Sequence, residues 1–100
     1  MSSRKAPITS SSTATSKVAV SNKLGLHARP ASMFVKTASR FQSEVFVEKD
    51  GEVINGKSIM GLLMLAAGPG SELTLRAEGS DASLAVAELE TLVRRKFDED

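Results

Sequence analysis
The stretch Glu44-Val45-Phe46-Val47-Glu48-Lys49-Asp50-Gly51-Glu52-Val53-Ile54 reads as a β-hairpin, and that reading decides the architecture. Val45 and Val47 alternate with Glu44, Phe46 and Glu48, the period of a strand that turns one face to a core. Asp50-Gly51 is a two-residue connection suited to positive φ at both central positions, which matches the twist of paired strands, and the chain returns through Glu52-Val53-Ile54. Upstream, Val18 and Val20 alternate with smaller or polar neighbours in a first strand ending near Asn22. Downstream, Leu73 and Leu75 alternate with Glu72, Thr74 and Arg76 in a fourth. Such strands imply an antiparallel sheet with one face covered by helices, an α+β fold.

The covering layer is written between and after the strands. Gly25-Leu26-His27-Ala28-Arg29-Pro30-Ala31 opens a helix: Gly25 supplies a flexible turn, and Pro30 is tolerated in a first turn whose amides lack intrahelical acceptors. Ala31, Phe34, Val35 and Ala38 recur at i, i+3, i+4 and i+7, an apolar face that leaves His27, the only histidine, exposed at the N-terminal mouth. There the unpaired amides and the helix dipole favour negative charge by about 0.3–1 kcal/mol. Arg29 adds a fork of donors suited to phosphate oxygens. Asn55-Gly56-Lys57-Ser58-Ile59-Met60-Gly61 begins a second helix, capped by Ser58 and expected to run to Gly68-Pro69-Gly70. No residue from Ser58 through Gly70 is charged. Leu62, Leu65 and Ala66 form the face expected to pack on the sheet, which leaves Ile59, Met60 and Leu63 as a separate exposed apolar group. After Gly79, with Ser80 or Asp81 as cap, Leu84, Ala85, Ala87, Leu89, Leu92 and Val93 carry a last helix to about Lys96, completing the order βαββαβα.

Composition narrows the function. One hundred residues allow one domain with one modest core. Met1 to Ser16 holds nine serines or threonines, no acidic residue and little apolar content, so residues 1–16 are expected to form a disordered tail and residues 17–100 the domain. With only Arg4 and Lys5 as basic residues and no amphipathic stripe, that tail does not read as a transit peptide, and it has no apolar core of signal-peptide length. Nowhere are there the roughly 18 apolar residues of a membrane span. The absence of cysteine excludes disulfides, thiolate metal sites and thiol nucleophiles and fits a cytoplasmic protein. Thirteen basic against twelve acidic side chains, with no tyrosine or tryptophan, argue against nucleic acid as the main ligand. One histidine without clustered carboxylates leaves no expectation of a metal or cofactor, and no phosphate-cradling glycine loop or triad supports an autonomous hydrolase or kinase.

His27-Ala28-Arg29-Pro30, together with Gly56-Lys57-Ser58-Ile59-Met60-Gly61 at this spacing, closely resembles the HPr family, the histidine-containing phosphocarriers of the bacterial phosphoenolpyruvate-dependent phosphotransferase system. The resemblance covers roughly Lys17 to Phe97 and implies an open-faced β-sandwich, with a four-stranded antiparallel sheet ordered 1-4-2-3 and three helices on one face. It also implies that His27 accepts a phosphoryl group from enzyme I on the ring nitrogen nearer the backbone and passes it to an enzyme IIA domain, steadied by Arg29. On this reading the chain is a monomeric carrier and not an enzyme. Ile59, Met60 and Leu63, bordered by Ser32, Met33 and Lys36, correspond to the family's partner surface, and Ser58 to the serine modified by HPr kinase/phosphorylase in regulated members. Asn22-Lys23-Leu24-Gly25-Leu26-His27 and Phe97-Asp98-Glu99-Asp100 also resemble NPr, the nitrogen-related homologue. That likeness implies an alternative, a regulatory module that acts by binding proteins such as transcriptional regulators and does not feed sugar uptake.

Overall fold
A computed structural model describes residues 12–99. Strands β1 (Thr13–Ala19), β2 (Glu44–Lys49), β3 (Glu52–Asn55) and β4 (Glu72–Glu78) alternate with helices α1 (Ala28–Ala38), α2 (Ile59–Met64) and α3 (Ala82–Arg94). All neighbouring strands are antiparallel, in the order β1-β4-β2-β3, which is the 1-4-2-3 arrangement. The hairpin forms as read: Lys49 faces Glu52, and Asp50 and Gly51 both have positive φ, 53° and 85°.

Alternation along the strands sends Val18, Val45, Val47, Leu73, Leu75 and Ala77 to one face, where they meet Phe34 and Ala38 of α1, Leu62 of α2 and Ala85, Leu89 and Val93 of α3 in a single core. Among the described residues no helix covers the opposite face. There Thr15 and Phe46 both pair in register with Arg76, whose guanidinium lies 4.6 Å from the Phe46 ring centre.

Several boundaries differ from the sequence reading. β1 starts at Thr13, so Thr13–Ser16 belong to the sheet and not to a tail; Ser12 precedes the strand, its carbonyl accepting from the Gly79 amide at 3.0 Å, and residues 1–11 of the expected tail lie outside the described residues. Pairing with β4, Thr13 to Glu78 and Lys17 to Thr74, draws these polar residues into the strand although their own side chains carry almost no apolar signal. Helix α2 stops at Met64 and does not reach Gly68, because Ala66 takes a left-handed φ of 52° and turns the chain. In consequence Ala66 faces solvent, and Ala67, 3% exposed, takes the core position expected for it. In α3 the inward set is Ala82, Ala85, Val86, Leu89, Leu92 and Val93; Leu84 and Ala87 point outward, since the buried stripe is phased by contact with β1 and β4. Asp81 holds the N-cap position of α3 without capping it. Its carboxylate instead accepts from the amides of Gln42 and Ser43, each at 2.9 Å, and from the Ser43 hydroxyl, tying the loop after α1 to the start of α3.

Past α3 the chain makes a short helical turn at Lys96–Asp98, in which three successive residues are left-handed, with φ of 58°, 55° and 58°. For residues with a Cβ this conformation costs on the order of 1–2 kcal/mol each. Burial of the whole Phe97 side chain, which reaches 0% exposure, contributes in the opposite direction by about 1.5–3 kcal/mol.

Candidate functional site
His27 is the N-cap residue of α1, extended at φ −81° and ψ −170°. Its carbonyl receives the first helical hydrogen bond, from Ala31 at 3.0 Å, and its ring is free for other work because the side chain caps nothing. The loop before it is held from both sides. Leu26 N–H donates to the Ala67 carbonyl at 2.8 Å, and Asn22 Nδ2 donates to the Gly25 carbonyl at 2.8 Å. Gly25 is required here: its φ is +70°, and a Cβ on it would lie 2.4 Å from the Ala67 oxygen. Pro30 falls in the first turn, with its ring buried, and removes no helical bond there. The Ala28 and Arg29 amides precede the intrahelical ladder and face outward from the helix end.

The His27 side chain is 35% exposed, and its Nε2 lies 3.2 and 3.4 Å from the two carboxylate oxygens of Glu99, whose side chain is 17% exposed. Asn22, fully buried, donates its second Nδ2 hydrogen to Glu99 Oε1 at 3.1 Å. That amide bond, followed by the hydrogen bond and charge of His27 and the charge of Arg29, holds the Glu99 carboxyl below its ordinary range against the opposing effect of burial. An ionised carboxylate only accepts, so this contact favours a ring proton on Nε2, and in the neutral ring that tautomer has its lone pair on Nδ1. Arg29 is exposed, and among the described residues its guanidinium has no hydrogen bond or ion pair, which leaves its donors available to an anion at the helix mouth.

Sequence reasoning did not identify Asn22 or Glu99 as members of this cluster. They stand 77 residues apart, and no local periodicity links them; the terminal Phe97-Asp98-Glu99 was legible only as a family likeness.

Around this cluster the surface is apolar and basic. Ile59 (42%), Met60 (69%) and Leu63 (38%) are exposed, as expected, and Met64 and Leu24 join them at 68% each. α1 contacts α2, with Ser32 and Met33 half-buried and Lys36 exposed on α1. Leu24 and Leu26 with Ala66, Ala67 and Gly68 line a groove of about 250 Å³ beside His27. No acidic residue occurs between Ser21 and Ser43 or between Lys57 and Ser71, so Glu99 supplies the negative charge at His27. A larger hollow, about 350 Å³ between Phe46, Val53 and Arg76, lies on the helix-free face of the sheet, away from this chemistry.

Ser58 is the N-cap of α2, its Oγ accepting the Gly61 amide at 2.9 Å. The residues before it are fastened: Lys57 Nζ donates to the Phe41 carbonyl at 2.8 Å, and Gly56 passes so close to β2 that a Cβ would stand 2.6 Å from Val45 Cγ1. Gly56-Lys57-Ser58 is thus a structural joint between β2, the loop after α1 and the start of α2. No group of three or more metal-ligating side chains occurs among the described residues, and no helix among them is long and apolar enough to cross a membrane.

Comparison with known proteins agrees with this geometry. Residues 14–95 match the family model described as PTS HPr component phosphorylation site. The chain is 47% identical over 83 residues to the phosphocarrier protein HPr of Treponema pallidum, covering 83% of this chain and 94% of that one. It is 51% identical over 80 residues to the HPr-like protein Crh of Bacillus subtilis, covering 80% and 94%. Among solved structures, HPr of Thermoanaerobacter tengcongensis superposes with a TM-score of 0.84 at 45% identity, over 87% of this chain and 98% of that one. With the fold, the strand order and the matched segment in accord, this chain belongs to the HPr family of phosphotransferase-system phosphocarriers.

Proposed function
We propose that this chain relays phosphoryl groups through Nδ1 of His27, from enzyme I charged by phosphoenolpyruvate to an enzyme IIA domain. The observation that carries the reading is the Glu99 carboxylate at 3.2 Å from Nε2, which leaves Nδ1 as the nucleophile at the mouth of α1 beside Arg29. On arrival, a bond forms between Nδ1 and phosphorus as the donor's bond to phosphorus breaks, and the ring becomes a phosphoimidazolium with its proton still on Nε2. On departure the acceptor's nucleophile bonds to phosphorus as the Nδ1–P bond breaks, and the ring leaves neutral with its lone pair restored. Arg29 and the helix amides offset the charge on the phosphoryl oxygens. Because the site lies on a partly exposed surface, they do so without burying the group. A carrier needs that moderation, since each 1.4 kcal/mol of excess stabilisation tilts exchange about tenfold against release.

The patch of Ile59, Met60 and Leu63, with Met64 and Leu24 and with Ser32, Met33 and Lys36 along α1, is the surface through which enzyme I and enzyme IIA dock. Exposed methionines suit one surface that fits several partners. The lack of carboxylates along Ser21–Ser43 and Lys57–Ser71 favours partners that are acidic around an apolar centre. Ser58, at the edge of this patch, is a regulatory phosphorylation site whose modification by an HPr kinase/phosphorylase blocks docking. The protein works as a cytoplasmic monomer and supplies sugar uptake or its regulation. His27 with an open Nδ1 favours the relay over a module that only binds regulators.

The test is labelling by enzyme I and radiolabelled phosphoenolpyruvate. Parent protein takes up one acid-labile phosphoryl group, and folded His27→Ala takes up none. Undiminished labelling of the folded variant overturns the assignment.

A further inference from the structure
The turn at Lys96–Asp98 is an unusual way to end a helix. Helix α3 has already delivered its apolar stripe by Val93, yet the chain goes on through three left-handed residues, none of them glycine. Such conformations persist only where surrounding structure over-determines them, and they cluster at functional sites. Two observations show what holds this one. Phe97, in its centre, is fully buried, which fixes the turn to the core. Beyond it, Glu99 is received by Asn22, a side chain at 0% exposure whose two Nδ2 hydrogens are divided between the Gly25 carbonyl and Glu99. The Asn22 oxygen is left buried without a partner. Rotating the amide would place that oxygen against the Gly25 carbonyl and a carboxylate, both acceptors, so the orientation is dictated by the two bonds its nitrogen makes. A buried amide that leaves its own oxygen unsatisfied in order to hold a carboxylate is a costly arrangement for a mere surface tail.

We propose that this C-terminal turn is a clamp in which Phe97 is the anchor, Asn22 the catch and Glu99 a positioning residue that keeps the His27 ring proton on Nε2 while the phosphoryl group arrives and leaves. The inference rests on the phosphocarrier reading and adds to it the group that governs the ring's proton. Its chemistry follows from the arrangement. Neutral imidazole can hold its proton on either nitrogen, and only the form with Nε2–H offers a lone pair at Nδ1. Once Nδ1 is bonded to phosphorus, the protonated ring is the better leaving group, because it departs as neutral imidazole and not as an anion. A carboxylate at 3.2 Å from Nε2 favours the reactive form in both directions. The titratable and charged groups of this cluster among the described residues are His27 at the N-cap of α1, Arg29 within its first turn, and Glu99 on the terminal turn. Arg29 serves the phosphoryl side, and Glu99 serves the opposite nitrogen.

The test uses the full chain with Glu99→Gln and Glu99→Ala. Nitrogen-15 NMR of the ring reads the tautomer without any phosphoryl transfer: the parent shows Nε2–H as the dominant neutral form, Glu99→Gln keeps it through its amide oxygen, and Glu99→Ala shifts towards a mixture. Stopped transfer assays with enzyme I are then run from acid to alkaline pH. In the donating direction, where the phosphorylated ring leaves best when protonated, both variants are expected to lose roughly two- to fivefold on the alkaline side, the range for a partly exposed ion pair, and to approach parental rates at acid pH where the phosphorylated ring is protonated in any case. Unchanged tautomer populations in Glu99→Ala, or superimposable pH–rate profiles, overturn the clamp while leaving the carrier reading intact. Absence of labelling on the parent would instead overturn the carrier reading, and the NMR result would still report whether Glu99 sets the proton.

Discussion
At His27 the main chain and the side chain serve different ends: the backbone caps a helix, and the ring stands between a carboxylate at Nε2 and the helix amides. That division makes nearby substitutions separable in experiment. Arg29→Lys retains the charge but loses the paired planar donors, so phosphoryl transfer should slow in both directions while thermal unfolding stays at the parental temperature; equal rates would show that fork geometry is irrelevant. Gly25→Ala should affect stability and transfer together. The φ of +70° alone costs a Cβ-bearing residue about 1–2 kcal/mol, and the new methyl would meet the Ala67 oxygen, so the loop must shift before His27 can be presented. Calorimetry should report lower stability together with slower labelling.

Helix α2 shows how an element of six residues is made to persist. It is too short to be stable alone, and it is held by the Ser58 cap at one end, by burial of Leu62 beneath it and by the Lys49 ammonium, which donates to the Leu65 carbonyl at 3.2 Å at the other. Its outer side is correspondingly free. Met60→Glu, at a position 69% exposed, should change stability by no more than about 0.5 kcal/mol yet weaken enzyme I binding measured by titration calorimetry. A large fall in melting temperature would place Met60 in the core instead. Ser58→Ala should cost about 0.5–2 kcal/mol through loss of the Gly61 bond. Ser58→Asp keeps an acceptor at the cap and adds negative charge at the favourable end of the helix, so it should melt close to the parent. Its charge would have to be desolvated beside Ile59, Met60 and Leu63 when a partner docks, and labelling by enzyme I should therefore be far slower.

For the whole molecule, the tie from Asp81 to Gln42 and Ser43 couples unfolding to acid. The Ser43 hydroxyl first, then the Gln42 and Ser43 amides, hold the Asp81 carboxyl below its ordinary range, with burial opposing. An unfolded chain therefore binds more protons than the folded one as pH drops below the ordinary carboxylate value of about 4, and the contribution, complete above that value, is lost as pH falls through the folded one. Asp81→Asn should unfold more readily than the parent at neutral pH, and the gap between the two should narrow in denaturant melts at acid pH. The element order, the Asp50-Gly51 hairpin, the first helix with His27 at its mouth and the Ser58 cap were all legible in the sequence, because each depends on side chains within a few residues of one another. The end of α2 was not: Ala66 carries no mark of a left-handed residue, and the turn there answers to the Ala67 carbonyl receiving Leu26. Nor was the inward set of α3, where both Leu84 and Val86 are apolar and only contact with the sheet chooses between them. The meeting of Asn22, His27 and Glu99 belongs to the tertiary structure entirely, since closing a path of 72 residues from His27 to Glu99 takes the whole core, down to the burial of Phe97, before a single hydrogen bond at Nε2 can form.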